Sequence, residues 1–177
     1  PDTVKAAFDG QALTFGGERF TMHKRGDEYW TTIESLEAAK AAPDGRDPEP
    51  YHVRMGMVTG SHHMQVFWLP GMMGNLQIGF PFSWLVEDQR WAPRNSLFIR
   101  DPHTMITQEN WNMNCIRCHT TGPKPKPNKS EQRFESQIAD LGISCEACHG
   151  PGQNHVDRQL RLAKLPEAER RQALESE

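Results

Sequence analysis

What this sequence lacks first is spare cysteine. It has four, all four sit in two Cys-x-x-Cys pairs, and none is left for a structural disulfide. Long runs of one charge are missing too. The 20 basic and 23 acidic residues intermingle to a formal charge of −3, so no basic stripe exists to grip nucleic acid. There is also no unbroken apolar run. The most apolar stretch, Met64 to Val86, is interrupted by Pro70, Gly71, Gly74, Asn75, Gln77 and Pro81, which excludes a continuous membrane-spanning helix there. The chain therefore reads as soluble, with membrane contact only through partners or missing segments. It shows no secretory signal and does not begin with Met, so residue 1 reads as a processing site or a cloning boundary. Finally, apolar residues are slightly scarce, at 36% of 177 residues. That length suits one domain or a domain with a small appendage. The lean composition leaves room for something besides side chains to fill the core.

What is present is the pattern around the cysteines. Cys115-Ile-Arg-Cys118-His119 and Cys145-Glu-Ala-Cys148-His149 are two copies of CxxCH. A spacing of two residues sets both sulfurs on one turn of helix, pointing the same way. There two thioether bonds tie them to the vinyl positions of one haem, and the following His is placed beneath the iron as proximal ligand. The motifs predict two covalently bound haem c groups. Cys115, Cys118 and His119 serve the first, and Cys145, Cys148 and His149 the second. A zinc ribbon would use four thiolates, but 26 residues separate the pairs, longer than common knuckle spacing, and zinc gives no reason for the two histidines. A redox dithiol explains neither the duplication nor the histidines.

A haem iron has a sixth position. His or Met there makes a low-spin electron carrier, whereas an open position admits a small ligand. Six more histidines are available: His23, His52, His62, His63, His103 and His155. His62 and His63 lead the candidates for metal ligation. If Gly60-Ser61-His62-His63-Met64 opens a strand, His62 shares an apolar face with Met64, Val66 and Trp68, while His63 sides with Gln65 and Phe67. The alternative is a pair of polar loop histidines at the mouth of a strand. His155 lies six residues after His149, beyond Gly150-Pro151-Gly152. That is too close to swing over its own haem, but it is placed to reach a neighbouring one or to hydrogen-bond a propionate. His103, in Asp101-Pro102-His103-Thr104, would ligate the second haem or pack on the first. His23 and His52 fall in strand patterns and read as surface residues. Met64, Met105 and Met113 are the sulfur alternatives, though gap-filling is the plainer role for each. Trp68, Trp84, Trp91 and Trp111 read as haem-packing or core aromatics. Arg90, Arg94, Arg100 and Arg117 are candidate propionate partners. Lys124, Lys126 and Lys129 form a solvated loop or a dock for an acidic partner.

The expected fold class is α+β: an N-terminal antiparallel β region packed on a C-terminal helix/loop dihaem portion. Residues 1–100 are the β-rich region, 101–165 bind the haems, and 166–177 form a charged helical tail. Ala12–Phe15, Phe20–Lys24 and Tyr29–Ile33 read as a meander punctuated by Gly16-Gly17 and Arg25-Gly26-Asp27. A turn-rich connector, residues 42–50, leads to strands over Tyr51–Val58, Met64–Leu69, Leu76–Phe80 and Phe82–Val86. Pro81 between the last two argues for an edge or a bend. Trp84 and Trp91 flank a charged turn. A helix starting near Thr107 should run into the first CxxCH, and Thr121–Ser130 reads as an extended loop. Phe134, Ile138 and Leu141 at helical spacing predict a short helix over Glu131–Leu141. From His155 the chain reads as helical to Leu165, with Pro166 interrupting.

Asn110-Trp111-Asn112 before one CxxCH, then Gly142-Ile143-Ser144-Cys145-Glu146-Ala147-Cys148-His149-Gly150-Pro151-Gly152 with His155-Val156, resembles a multihaem c-type cytochrome family. These are the cytochrome c-prime-like multihaem domains, some of which precede tetratricopeptide repeats. Arg19-Phe20 to Tyr29, Pro43-Asp44-Gly45 and Tyr51-His52-Val53-Arg54 are similar to the family's β region, so the resemblance runs from about Phe8 to Val156. His103 falls where the family has a His before its Asn-Trp-Asn. The resemblance implies an exported, periplasmic or cell-exterior protein with closely packed, mostly bis-His haems. It implies single-electron transfer between redox protein partners. Family members usually carry another CxxCH and a Ser-x-His ligand segment upstream of this β region. This chain begins after that point, so the resemblance implies a fragment, or a subunit whose partners supply further haems. Gly60-Ser61-His62-His63 is then the candidate local substitute. The rival expectations are a haem enzyme or sensor acting on a small inorganic ligand at a five-coordinate haem, or a haem subunit of a larger complex.

Overall fold

A computed structural model describes residues 3–41, 48–97 and 109–175. His103, Arg100, Met105, Thr107 and most of the connector at 42–50 lie outside the described residues. Two four-stranded antiparallel sheets dominate. The first runs in the order β1 (Asp9–Phe15), β2 (Glu18–Arg25), β3 (Glu28–Ser35), β4 (Tyr51–Arg54). The second follows as β5 (Met57–Thr59), β6 (Met64–Pro70), β7 (Gln77–Leu85), β8 (Arg90–Pro93). The expected single strand over Tyr51–Val58 is therefore two. The chain leaves the first sheet at Arg54, and Met55-Gly56 carries it into the second. A six-residue helix α1 (Leu36–Ala41) follows β3.

Alternation builds the interface between the sheets. In β2, Phe20 and Met22 are buried while Thr21 and His23 turn outward. They meet Phe67, Phe80, Phe82, Trp84 and Trp91 of the second sheet, with Phe8 closing one end. Ring edges meet ring faces: Phe20 lies 5.7 Å from both Phe80 and Phe82, and Trp84 lies 5.5 Å from Trp91. Each such pair adds roughly 0.5–1.5 kcal/mol beyond simple burial. Trp84 and Trp91 are also register partners across the predicted charged turn, where Gln89 takes a φ of 51°. Gln65 is a buried polar side chain of this sheet. Its Oε1 accepts from the Lys5 and Ala6 amides at 2.7 and 3.2 Å, and its Nε2 donates to the Thr3 carbonyl at 2.6 Å, so it pins the N-terminal segment.

Pro81 sits within a continuous strand β7. The pairing of β6 with β7 slips between Val66↔Ser83 and Trp68↔Gly79, so Pro81 falls in a bulge. That is where an interior strand tolerates a residue without a backbone N–H. The expected bend is there; the expected edge position is not, because β7 lies between β6 and β8.

The second sheet is apolar on its other face as well. Val66 and Trp68 of β6, with Met57 of β5, pack against Trp111, Ile116, Cys115 and Ile138. A strand buried on both faces reads as an unbroken apolar run, which is what Val66-Phe67-Trp68-Leu69 shows. This second cluster joins the β region to the first CxxCH. His23 and His52 stay on the outer face of the first sheet, hydrogen-bonded to Arg25 and Thr32, in keeping with their surface reading. No helix among the described residues is long and apolar enough to cross a membrane.

Candidate metal centre

The approach to the first CxxCH is fixed by β7. Strand β8 pairs only with Phe82–Leu85. Glu109-Asn110 takes the vacant edge beside Ile78-Gly79: the Gly79 amide donates to the Glu109 carbonyl at 2.9 Å, and Ile78 bridges to Asn110. Gly79 also makes space. A Cβ there would stand 2.5 Å from Arg94 Nη1, whose guanidinium lies over the Trp68 ring at 4.5 Å and pairs with Glu109. Arg94, a candidate propionate partner, thus spends charge on a neighbouring carboxylate. Gly79→Ala is expected to push the guanidinium off the ring and cost about 2 kcal/mol, read as a lower urea midpoint.

Residues Trp111–Cys115 then form one π-helical turn, in which the Ile116 amide donates to the Trp111 carbonyl. The expected helix into the motif is this wider turn followed by α2 (Ile116–His119). Trp111 and Ile116 are buried against Trp68. Asn112 is buried at 3% exposure and ties three segments together. Its Oδ1 accepts from the Gln77 amide at 2.9 Å, and its Nδ2 donates to the Asn75 carbonyl at 3.1 Å and to Ser136 Oγ at 3.0 Å. Cys115 is half-buried in this cluster, while Cys118 and His119 are exposed on the same turn. Burial pushes the Cys115 thiol up, Glu109 and Cys118 add to the rise, and Arg94 opposes it.

The segment between the motifs overturns one expectation. Glu131–Leu141 is not a helix. With the stretch before it, it makes a long two-armed hairpin: β9 (Thr120–Thr121) pairs with β12 (Asp140–Leu141), and β10 (Pro127–Asn128) pairs with β11 (Arg133–Phe134). Lys124 bridges to Gln137 between the two pairs, and the register stays constant throughout. Phe134, Ile138 and Leu141 carried a helical period but go to three places. Phe134 is buried and its amide donates to the Gly74 carbonyl at 2.9 Å. Ile138 joins the Trp68–Trp111 cluster, and Leu141 is 77% exposed. Tertiary pairing overrides a weak three-residue period. At the tip, the Asn128 amide and the Arg133 guanidinium hold the exposed Glu135 carboxyl below its ordinary range. The Thr121–Ser130 loop with its three lysines is one arm of this hairpin, and Lys126 Nζ donates to Gln137 Oε1 at 2.7 Å.

The hairpin begins directly after His119 and ends four residues before Cys145, with Thr120 facing Leu141. Both motifs therefore leave the same end of one ribbon. The second turn is α3 (Glu146–His149), closed by the His149 amide on the Cys145 carbonyl at 3.0 Å. Gly150 follows at φ 74°, a positive-φ backbone that favours glycine, and its amide reaches the Glu146 carbonyl at 3.0 Å. The Glu146 carboxylate accepts from the Gly152 amide at 2.6 Å and clamps the Gly-Pro-Gly turn. Gly150→Ala is expected to cost about 1 kcal/mol through backbone strain, measured as a small drop in midpoint on thermal unfolding.

Beyond the turn, α4 (Gln153–Leu162) carries His155, exposed, and α5 (Glu167–Glu175) is the charged tail helix. Arg170 of α5 folds back on the carbonyls of Leu162, Ala163 and Leu165 at 3.1–3.3 Å, covering acceptors at the end of α4. His62 and His63 occupy an exposed bend ahead of β6. His62 Nδ1 sits 3.0 Å from Ser61 Oγ, and His63 Nδ1 lies 3.5 Å from Glu87. Val66 and Trp68 pack together against Trp111 and Ile116 beside the first motif.

These turns suit haem c. Each offers two cysteines, not disulfide-bonded, and an exposed His on a single helical turn. Leu141, Ile143, Val156 and Leu160 leave apolar surface exposed along the chain on either side of the second turn. Among the described residues, no three His, Cys, Asp or Glu side chains converge on a metal position. The residues that sequence reasoning passed over are Asn112, Thr121, Ser144 and Glu146. Asn112 stood inside a noted Asn-Trp-Asn, and Ser144 and Glu146 stood inside the noted segment around the second CxxCH; Thr121 carries no local signal.

Residues 89–150, roughly a third of the chain, match the family of cytochrome c554 and c-prime. This segment is similar to a c-type cytochrome family. It contains both CxxCH turns, the π turn and the whole hairpin, whereas the match leaves out most of the two-sheet region. Cytochromes of this kind bind haem c covalently and use it for electron transfer, and the family's members are typically exported. Neither the curated proteins nor the solved structures supply a match to the chain.

Proposed function

We propose that the chain is a dihaem electron carrier, exported to the periplasm or the cell exterior, that passes single electrons between redox protein partners or further haem-bearing subunits. Cys115, Cys118 and His119 would hold one haem, and Cys145, Cys148 and His149 the other. Bound haem supplies a one-electron iron couple. The protein supplies attachment, a proximal imidazole on each turn, and the spacing between the turns. His62, His63, His103 and His155 remain the candidates for the distal positions.

The observation that supports this reading is the constant-register hairpin. It starts at the residue after His119 and returns to face Thr120 with Leu141, so that two separately encoded CxxCH turns emerge side by side. Proximity of that kind suits transfer from one haem to the next.

The test is a combined visible and electron paramagnetic resonance spectrum of the purified, exported protein. Two low-spin signals are expected. A high-spin signal that shifts on adding carbon monoxide, nitric oxide or nitrite would overturn the carrier reading in favour of a haem enzyme or sensor with an open iron. Single His→Ala exchanges at positions 62, 63, 103 and 155 then assign the distal ligands.

A further inference from the structure

We infer that the Thr121 hydroxyl is the positioning group that fixes the second CxxCH turn against the first, and so sets the coupling between the two haems. The inference rests on the dihaem reading above.

Thr121 is 4% exposed, although it lies only two residues past an exposed histidine. Its Oγ1 has three partners, all on the segment leading into the second motif. It donates to the Gly142 carbonyl at 3.0 Å, accepts from the Ser144 amide at 3.0 Å, and lies 2.9 Å from Ser144 Oγ. A hydroxyl has one hydrogen to donate and two lone pairs. With its hydrogen on Gly142, both lone pairs are taken by Ser144, so the Ser144 hydroxyl is the donor in the third bond. Every capacity of the group is used across the gap between the motifs. The Ser144 carbonyl in turn receives the Ala147 amide at 3.0 Å, which is a bond of the second turn itself. Thr121 therefore reaches α3 through one residue. On the other side it is anchored by its neighbour Thr120, whose Oγ1 donates to the Ile116 carbonyl of α2 at 2.7 Å.

Backbone pairing alone does not supply this lock. The ladder near the motifs is only two residues long, and Gly142 follows it at φ 99°. A glycine hinge after a short ladder leaves the second turn free to swing unless a side chain holds it.

The test uses the haem-loaded protein and three variants, Thr121→Val, Thr121→Ser and Ser144→Ala. Haem per chain is measured by alkaline pyridine absorbance. Coupling is measured by the magnetic interaction between the two irons and by the separation of their midpoint potentials in a redox titration. Thr121→Val keeps the shape and removes the hydroxyl. It is expected to retain two haems with unchanged individual spectra, to lose the magnetic interaction and to narrow the potential separation. Thr121→Ser should restore both. Ser144→Ala removes one bond of the three, so it should move both readouts the same way by a smaller amount; this keeps the idea testable if Thr121→Val does not assemble. Full coupling in Thr121→Val with two haems attached would overturn the lock and leave the carrier reading standing. A wild-type protein with fewer than two haems would overturn both.

Discussion

Cys145→Ala with Cys148→Ala is expected to lower covalently attached haem from two per chain to one, read as haem absorbance per mole of protein after acid–acetone extraction. The reason is chemical and local. Without both thiols no thioether joins the second haem, and His149 alone is a weak anchor on an exposed turn. The first haem should persist with its spectrum intact, because Cys115 is set by Trp68, Trp111 and Ile116 rather than by the second turn. The mirror variant, Cys115→Ala with Cys118→Ala, should also leave one haem. It should carry a larger stability cost, since Cys115 belongs to a packed cluster and Cys145 is exposed. An unchanged haem count in either variant would refute the assignment of one haem to each motif.

Asn112→Ala should destabilise the folded protein by about 3 kcal/mol. The side chain makes three hydrogen bonds from a buried position, to Gln77, Asn75 and Ser136. Losing them removes about 1 kcal/mol each and strands backbone groups that water reaches poorly. For a chain of this size that corresponds to a fall of about 6–12 °C in midpoint, measured by calorimetry on the haem-loaded protein. The loss should not be uniform. Ser136 keeps its bond to the Pro125 carbonyl at 2.8 Å, so the hairpin stays folded on itself while its tie to β7 and the π turn weakens. Amide hydrogen exchange should therefore rise most at Gln77, whose amide loses its side-chain acceptor. A loss below about 1 kcal/mol would refute the view that Asn112 binds these three segments together.

Much of the molecule could be read without coordinates because its signals are local. Strand alternation in Phe20-Thr21-Met22, the turn glycines and the double-faced run Val66-Phe67-Trp68-Leu69 each report on their own neighbours. Pro81 announced a disruption of pairing for the same reason. The division of Tyr51–Val58 between two sheets was not legible. Both halves have strand composition, and only the crossing at Met55-Gly56 separates them. The false helix at Glu131–Leu141 shows the same limit from the other side. A period of three apolar residues fits a helix, but partners at Gly74, Trp111 and Thr120 pull those residues apart.

The sequence by itself determined the local geometry of the two Cys-x-x-Cys-His turns. CxxCH is a contiguous motif, so the positions of two sulfurs and an imidazole on one turn follow from helical geometry over five residues. Only the tertiary structure decided how the two turns stand to each other. That depends on a hairpin in constant register, on Asn112 joining it to β7, and on Thr121 reaching across to Ser144. The Asn112–Gln77 and Thr121–Ser144 contacts join residues 35 and 23 positions apart, whose pairing depends on how the chain folds back rather than on any adjacent pattern.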